Sequence, residues 1–216
     1  MLTEIRAAVR GAAAGAFGNA SVNGAGDLIS TGGGAYPRYA EMSRRGGGYA
    51  VMATSAVAAL VVRPTTLAGL SVQNNRSGYV MVVDRLFAHE LVTSTTGLGG
   101  GAALYAMVSA GAVADLTDAA LAISSFHGKP AATKTVLTQA GATVVDNGWF
   151  PYGGTVKKES AGAVVPGGVL EALVEGRIIV PYKATLNLTA VSGYAADTFT
   201  HGCAWYWARE SEYPLE

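Results

Sequence analysis

Three histidines and one cysteine are the side chains best suited to metal binding or nucleophilic chemistry in this chain, and their spacing favours neither. His89, His127 and His201 stand far apart, each in a different predicted element. His89 and Glu90 would point to opposite faces of a strand, which is poor geometry for a shared metal, and no second histidine or carboxylate cluster stands at ligand spacing from any of the three. Cys203 has His201 two positions away but no third member to orient it. Its setting, Gly202-Cys203-Ala204-Trp205, reads as a small buried residue. A single cysteine also excludes an intrachain disulfide and a multi-cysteine zinc site. These positions therefore predict structural or surface histidines, no metal and no cofactor.

Other motifs are equally thin. Gly97-Leu98-Gly99-Gly100-Gly101 lacks the Lys-Ser/Thr and the following helix of a phosphate loop, and reads as a hairpin loop. Asp115 and Asp118 are two acids without the third that a calcium loop needs. No Gly-x-Ser-x-Gly elbow occurs. Asn19, Asn75 and Asn187 match the glycosylation acceptor pattern, but the start of the chain does not read as a secretory signal, because Glu4, Arg6 and Arg10 interrupt Leu2 to Phe17. Trp149-Phe150-Pro151-Tyr152 and Trp205-Tyr206-Trp207 offer one binding hypothesis, a glycan-stacking platform with Trp149 and Tyr152 as contacts. Such clusters more commonly pack the core and edges of a sandwich. No catalytic residue is predicted, and the chain is read as no enzyme.

The elements that would carry these residues fall into two parts. Residues 1–48 hold 11 Gly and 10 Ala but only six Leu, Ile or Val, too few to build a core. They predict an extended N-terminal arm, with a short helix over residues 3–16 that would need a partner surface. The arm keeps spaced anchors, Phe17, Leu28, Ile29, Tyr36, Tyr39 and Met42, and a basic neck at Arg38, Arg44 and Arg45. These predict docking on neighbouring subunits. Ordering some 40 residues would cost about 1 kcal/mol or more each, so the interface must be large.

Residues 49–216 read as short strands with turn signals every 8 to 15 residues, which predicts an all-β antiparallel sandwich. Strands are expected at Val57–Arg63, Leu67–Asn74, Tyr79–Thr93, Ala102–Ser109, Ala119–His127, Thr133–Thr138, Thr155–Glu159, Gly176–Val180, Ala184–Val191 and Cys203–Arg209. Alternation in Ala184–Val191 sets Ala184, Leu186, Leu188 and Ala190 against Thr185, Asn187 and Thr189, predicting one buried face. Tyr79–Leu91 is apolar on both sides and predicts a strand covered on both faces. Pro181 should end one strand just before the next begins, the corner of a jelly roll where the chain turns from one sheet to the other.

Charge narrows the partners. The formal net charge is +0 and 14% of residues are charged, against the Lys/Arg surplus of a nucleic-acid binder. No run of about 20 apolar residues predicts a membrane span.

Several segments together carry a family resemblance: Leu60-Val61-Val62-Arg63-Pro64-Thr65-Thr66, Tyr79 through Phe87, Gly148-Trp149-Phe150-Pro151-Tyr152-Gly153, Pro166-Gly167-Gly168, Gly176 through Pro181, and Gly202 through Trp207. In this order they resemble a group of tailed-bacteriophage virion proteins, over roughly Val57 to Arg209. The resemblance implies a jelly-roll-like structural protein of the capsid cement (decoration) type, on the capsid surface of a virion assembled in the host bacterial cytoplasm. Its expected partners are the major capsid protein and itself, as a homotrimer. A head-fibre, neck or tail protein with a receptor- or glycan-binding sandwich is the alternative. The resemblance brings no catalytic residues, and the arm lies outside it.

Overall fold

The computed structural model describes residues 21–22, 28–29, 42–43, 47–92, 101–110, 116–118, 123–125, 136–153 and 169–212. Two compact units divide between Arg38 and Tyr39. In the first, β1 (Ser21–Val22) pairs antiparallel with β2 (Leu28–Ile29). The helix expected over residues 3–16 and the strand expected at Thr155–Glu159 lie outside the described residues.

The second unit is an all-β sandwich of two antiparallel sheets. One contains β3 (Gly48–Met52), β6 (Tyr79–Val92), β9 (Ile123–Ser125), β12 (Val169–Val180) and β14 (Thr198–Arg209), in the order β12-β6-β14-β3-β9. The two-residue β4 (Val57–Ala58) also lies along β14. The other contains β5 (Leu67–Asn74), β7 (Ala102–Ser109), β8 (Thr117–Asp118), β10 (Val136–Thr143), β11 (Phe150–Pro151) and β13 (Thr185–Ser192), in the order β11-β7-β13-β5-β10-β8. The main core lies between them. Leu70, Val72, Leu104, Leu186 and Leu188 from one sheet meet Met81, Val83, Leu86, Phe199 and Trp205 from the other. Burying such side chains contributes about 1.5–3 kcal/mol each.

The chain switches sheets at the expected corner: β12 ends at Val180, and β13 begins at Thr185 in the opposite sheet. Asn74, at the end of β5, fastens this corner. Its amide donates to the carbonyls of Val180 (3.0 Å) and Tyr79 (2.7 Å), and its Oδ1 accepts from the Arg76 amide. The backbone closes the same junction, with Asn74 N–H donating to Ala184 O and Lys183 N–H to Asn74 O.

The strand expected over Val57–Arg63 is only the two-residue β4, and the expectation for β13 also needs correcting. β13 does not have a single buried face: Thr185, Asn187 and Thr189 are as buried as Leu186, Leu188 and Ala190. At Asn187 polar burial is tolerated because its amide is bonded across three strands. Ser71 Oγ donates to Asn187 Oδ1 at 2.7 Å, and Asn187 Nδ2 donates to Ser109 Oγ at 2.8 Å. The double-sided burial expected of β6 holds for its first half. Met81 and Val83 join the main core, while Val80 and Val82 pack outside with Tyr206, Ala208, Ile179 and Met42.

Both sheets are creased, so the faces change over along a strand. On β6 Asp84 is an extra residue between Arg85, opposite Ala204, and Val83, opposite Trp205. The neighbouring edge strand β12 breaks register at the same level, between Leu173 and Ile178, with positive φ at Glu175 (52°) and Gly176 (81°). Bulges of this kind bend a sheet and increase its twist. In the other sheet Leu70 and Ala140 pack in the main core, whereas Ala68 and Ala142 pack in a second cluster with Met107, Val144 and Trp149. Gly69 and Gly141 separate the two pairs.

Candidate functional site

Of the arm residues expected to meet partners, Leu28 and Ile29 form β2, with their backbones paired to β1. Phe17, Tyr36, Arg38, Tyr39, Arg44 and Arg45 lie outside the described residues. Met42 packs on the outer cluster of the sandwich, and its carbonyl accepts the Gly47 N–H at 2.7 Å.

The aromatic segments turn inward. Trp149 is 4% exposed, and its indole N–H donates to Thr65 O at 3.1 Å. Tyr152 is half-buried against the main core, with its backbone N–H on Leu104 O. Phe150, by contrast, is exposed, as is Pro151 beside it. On β14, Trp205 stacks with Tyr49 and meets Trp207 edge-on, centroids 6.1 and 6.3 Å apart. The Arg76 guanidinium lies 3.7 Å from the Tyr79 ring centroid and 5.3 Å from that of Trp207, closing the end of this aromatic row.

The nucleophile candidate Cys203 and one histidine candidate, His201, are internal. Cys203 is fully buried, and burial pushes its thiol up, away from thiolate chemistry. His201 is 1% exposed, and its two ring nitrogens have no hydrogen-bond partner among the described residues. His89 is half-buried on β6 and His127 lies outside the described residues, as does Asp115. Among the described residues no three His, Cys, Asp or Glu side chains gather at metal-binding distance. Asn187 is buried and bonded in the polar row, which closes that glycosylation pattern in the folded domain.

Two surface features were not legible beforehand. The first is a pair of loops at one end of the sandwich, residues 60–66 and 144–148. Arg63 Nη1 bridges Asp146 Oδ2 at 2.8 Å, Val144 N–H donates to Thr66 O, and Trp149 reaches Thr65. The Arg63 bond holds the Asp146 carboxyl below its usual range. These ties present Val61, Val62 and Val145 outward, 55%, 66% and 84% exposed. The second is the acidic crease of the other sheet, where partial burial, opposed by Arg85 and assisted by nearby Glu175, pushes the Asp84 carboxyl up. Arg63 and Asp146 are 83 residues apart, so no local signal pairs them.

Chemically, the described surface offers contact through shape and apolar area. Its thiol and its one described core imidazole are shut away from solvent. Comparison with protein-family models, curated proteins and solved structures finds no match.

Proposed function

We propose that the protein is a structural component of a tailed-bacteriophage particle, a capsid cement protein that binds neighbouring capsid subunits and itself. The single observation that carries this reading is the set of segments, ordered from Leu60 to Trp207, that resembles such virion proteins. It agrees with a sandwich that buries Cys203 and His201 while Val61, Val62 and Val145 stand on tied loops. Exposed valines on a braced platform lose little conformational freedom on contact, which favours a permanent structural interface. The buried, hydrogen-bonded Trp149 offers no open ring face for a sugar, which disfavours the glycan reading.

The test is the copy number of this chain in purified particles, combined with deletion of residues 1–48. A cement protein is expected at hundreds of copies, and the truncated chain should no longer decorate particles. A dozen copies or fewer would replace the cement reading by a neck, fibre or tail role. Absence from particles would overturn both readings.

A further inference from the structure

His201 occupies an unusual place for an ionisable side chain. It lies on the inward side of β14, between Phe199 and Cys203 of the main core. A Cβ built on Gly69 of the opposite sheet would fall 2.4–2.8 Å from three atoms of its ring. The imidazole thus fills the notch left by a glycine, at the Gly69–Gly141 crease where the second sheet changes face. Among the described residues neither Nδ1 nor Nε2 has a hydrogen-bond partner.

Among the described residues, the surroundings hold little that could receive a charge. From β6, the opposite residue is Ala88, and the diagonal neighbours on that face are Leu86 and Glu90. Glu90, the carboxylate of that strand on this side, is 4% exposed with Oε1 unpartnered, and no hydrogen bond joins it to the imidazole. Arg85 and His89 lie on the other face of β6. β3 and the residues after it contribute the Ala53 N–H, bonded to the backbone carbonyl of His201. β4 pairs with β14 through Val57 and Ala58. β5 contributes Gly69, and β13 turns Leu186, Leu188 and Ala190 inward. Asp197, just before β14, is buried and accepts a hydrogen bond from the Ser192 hydroxyl.

The pairing around His201 is also interrupted. β3 leaves β14 after Met52 and β4 rejoins it at Val57, while β6 carries an extra residue at Leu91, between Val92 opposite Thr198 and Glu90 opposite Phe199. Local opening is least costly where ladders are broken.

We propose that His201 is the trigger of an acid-operated opening of this end of the sandwich, in which protonation of an imidazole without an acceptor separates the start of β14 from the Gly69–Gly141 crease. The sign follows from linkage. Burial holds His201 down at about 4, against an ordinary 6.5, so the closed state binds its proton later than the open one. Closure is therefore strongest above pH 6.5 and weakens as the pH falls towards 4. Between neutral pH and pH 5 the opening equilibrium should rise about twentyfold from this group alone.

Amide hydrogen exchange on the full chain, corrected for the intrinsic pH dependence of exchange, tests this. Protection at residues 67–70 and 199–203 should fall at least tenfold from pH 7.5 to pH 5 in the wild type, and stay level in His201→Leu. Should the leucine variant fail to fold, His201→Gln and an NMR titration of the wild-type imidazole serve instead. A His201 titration near 6.5, or protection unchanged down to pH 4.5, would overturn the proposal. Equal loss of protection in the His201 variants would also overturn it, and its disappearance in Glu90→Gln would move the trigger to that carboxylate.

Discussion

At the residue scale, the strongest single constraint is Asn74. Its amide serves carbonyls on two strands, Tyr79 on β6 and Val180 on β12, while its oxygen satisfies Arg76. Asn74→Ala should lower unfolding stability by about 2–4 kcal/mol, because it strands the buried Val180 carbonyl and the partly buried Tyr79 carbonyl. Asn74→Asp should lose more, since a carboxylate oxygen would then face two carbonyl oxygens. Urea denaturation of the three proteins checks both; equal midpoints would show the corner holding without the amide. Sequence reading recognises Asn74-Asn75 as a turn, because short polar side chains bond locally there. It cannot see a partner 106 positions away. The same limit hid the setting of His201: the glycine notch that receives it belongs to another sheet.

At the element scale, strand bounds were legible where composition changes sharply. Leu67–Asn74 and Ala102–Ser109 fall as expected. The sequence places a boundary at Gly176, whereas that residue is a bulge inside the 12-residue β12. β3 went unread because its five residues continue a glycine run. Alternation identified β13 but not the environment of its polar face, since period two reports direction and not what covers a side. The bulge has its own consequence. β12 is the edge strand, and Arg177 folds back onto the carbonyls of Leu173 and Val174 at 3.1 and 3.0 Å. A bulged edge with occupied carbonyls resists pairing with another chain. Gly176→Ala should therefore cost about 1–2 kcal/mol, because φ of 81° places a Cβ in strain and Val82 already lies 3.1 Å from it. Thermal melting reads this directly, and an unchanged midpoint would show that the bulge relaxes freely.

At the scale of the whole molecule, the question is where the arm stops and the sandwich starts. Composition alone draws the line at Gly48, after the last glycine run. Packing draws it at Tyr39, because Met42 covers Val80, Val82, Tyr206 and Ala208 on the outer face of the β14 sheet. Gly47 then ties the segment down, with Trp207 N–H donating to its carbonyl. Two truncations separate these boundaries. A chain starting at Tyr39 should melt within a few degrees of the full protein, since the main core and its ladders are untouched. A chain starting at Tyr49 uncovers the outer cluster and removes the first pair of the β3–β14 ladder, Gly48 with Tyr206. It should lose about 1–3 kcal/mol, the scale of one large apolar contact. Equal stability of the two truncations would show that Met42 adds nothing to the domain. A loss already complete at Tyr39 would mean that residues before it stabilise the sandwich. With the expected outcome, the particle-binding test of the arm is best made with the Tyr39 chain, whose core stability is intact, so that lost decoration reports lost contacts.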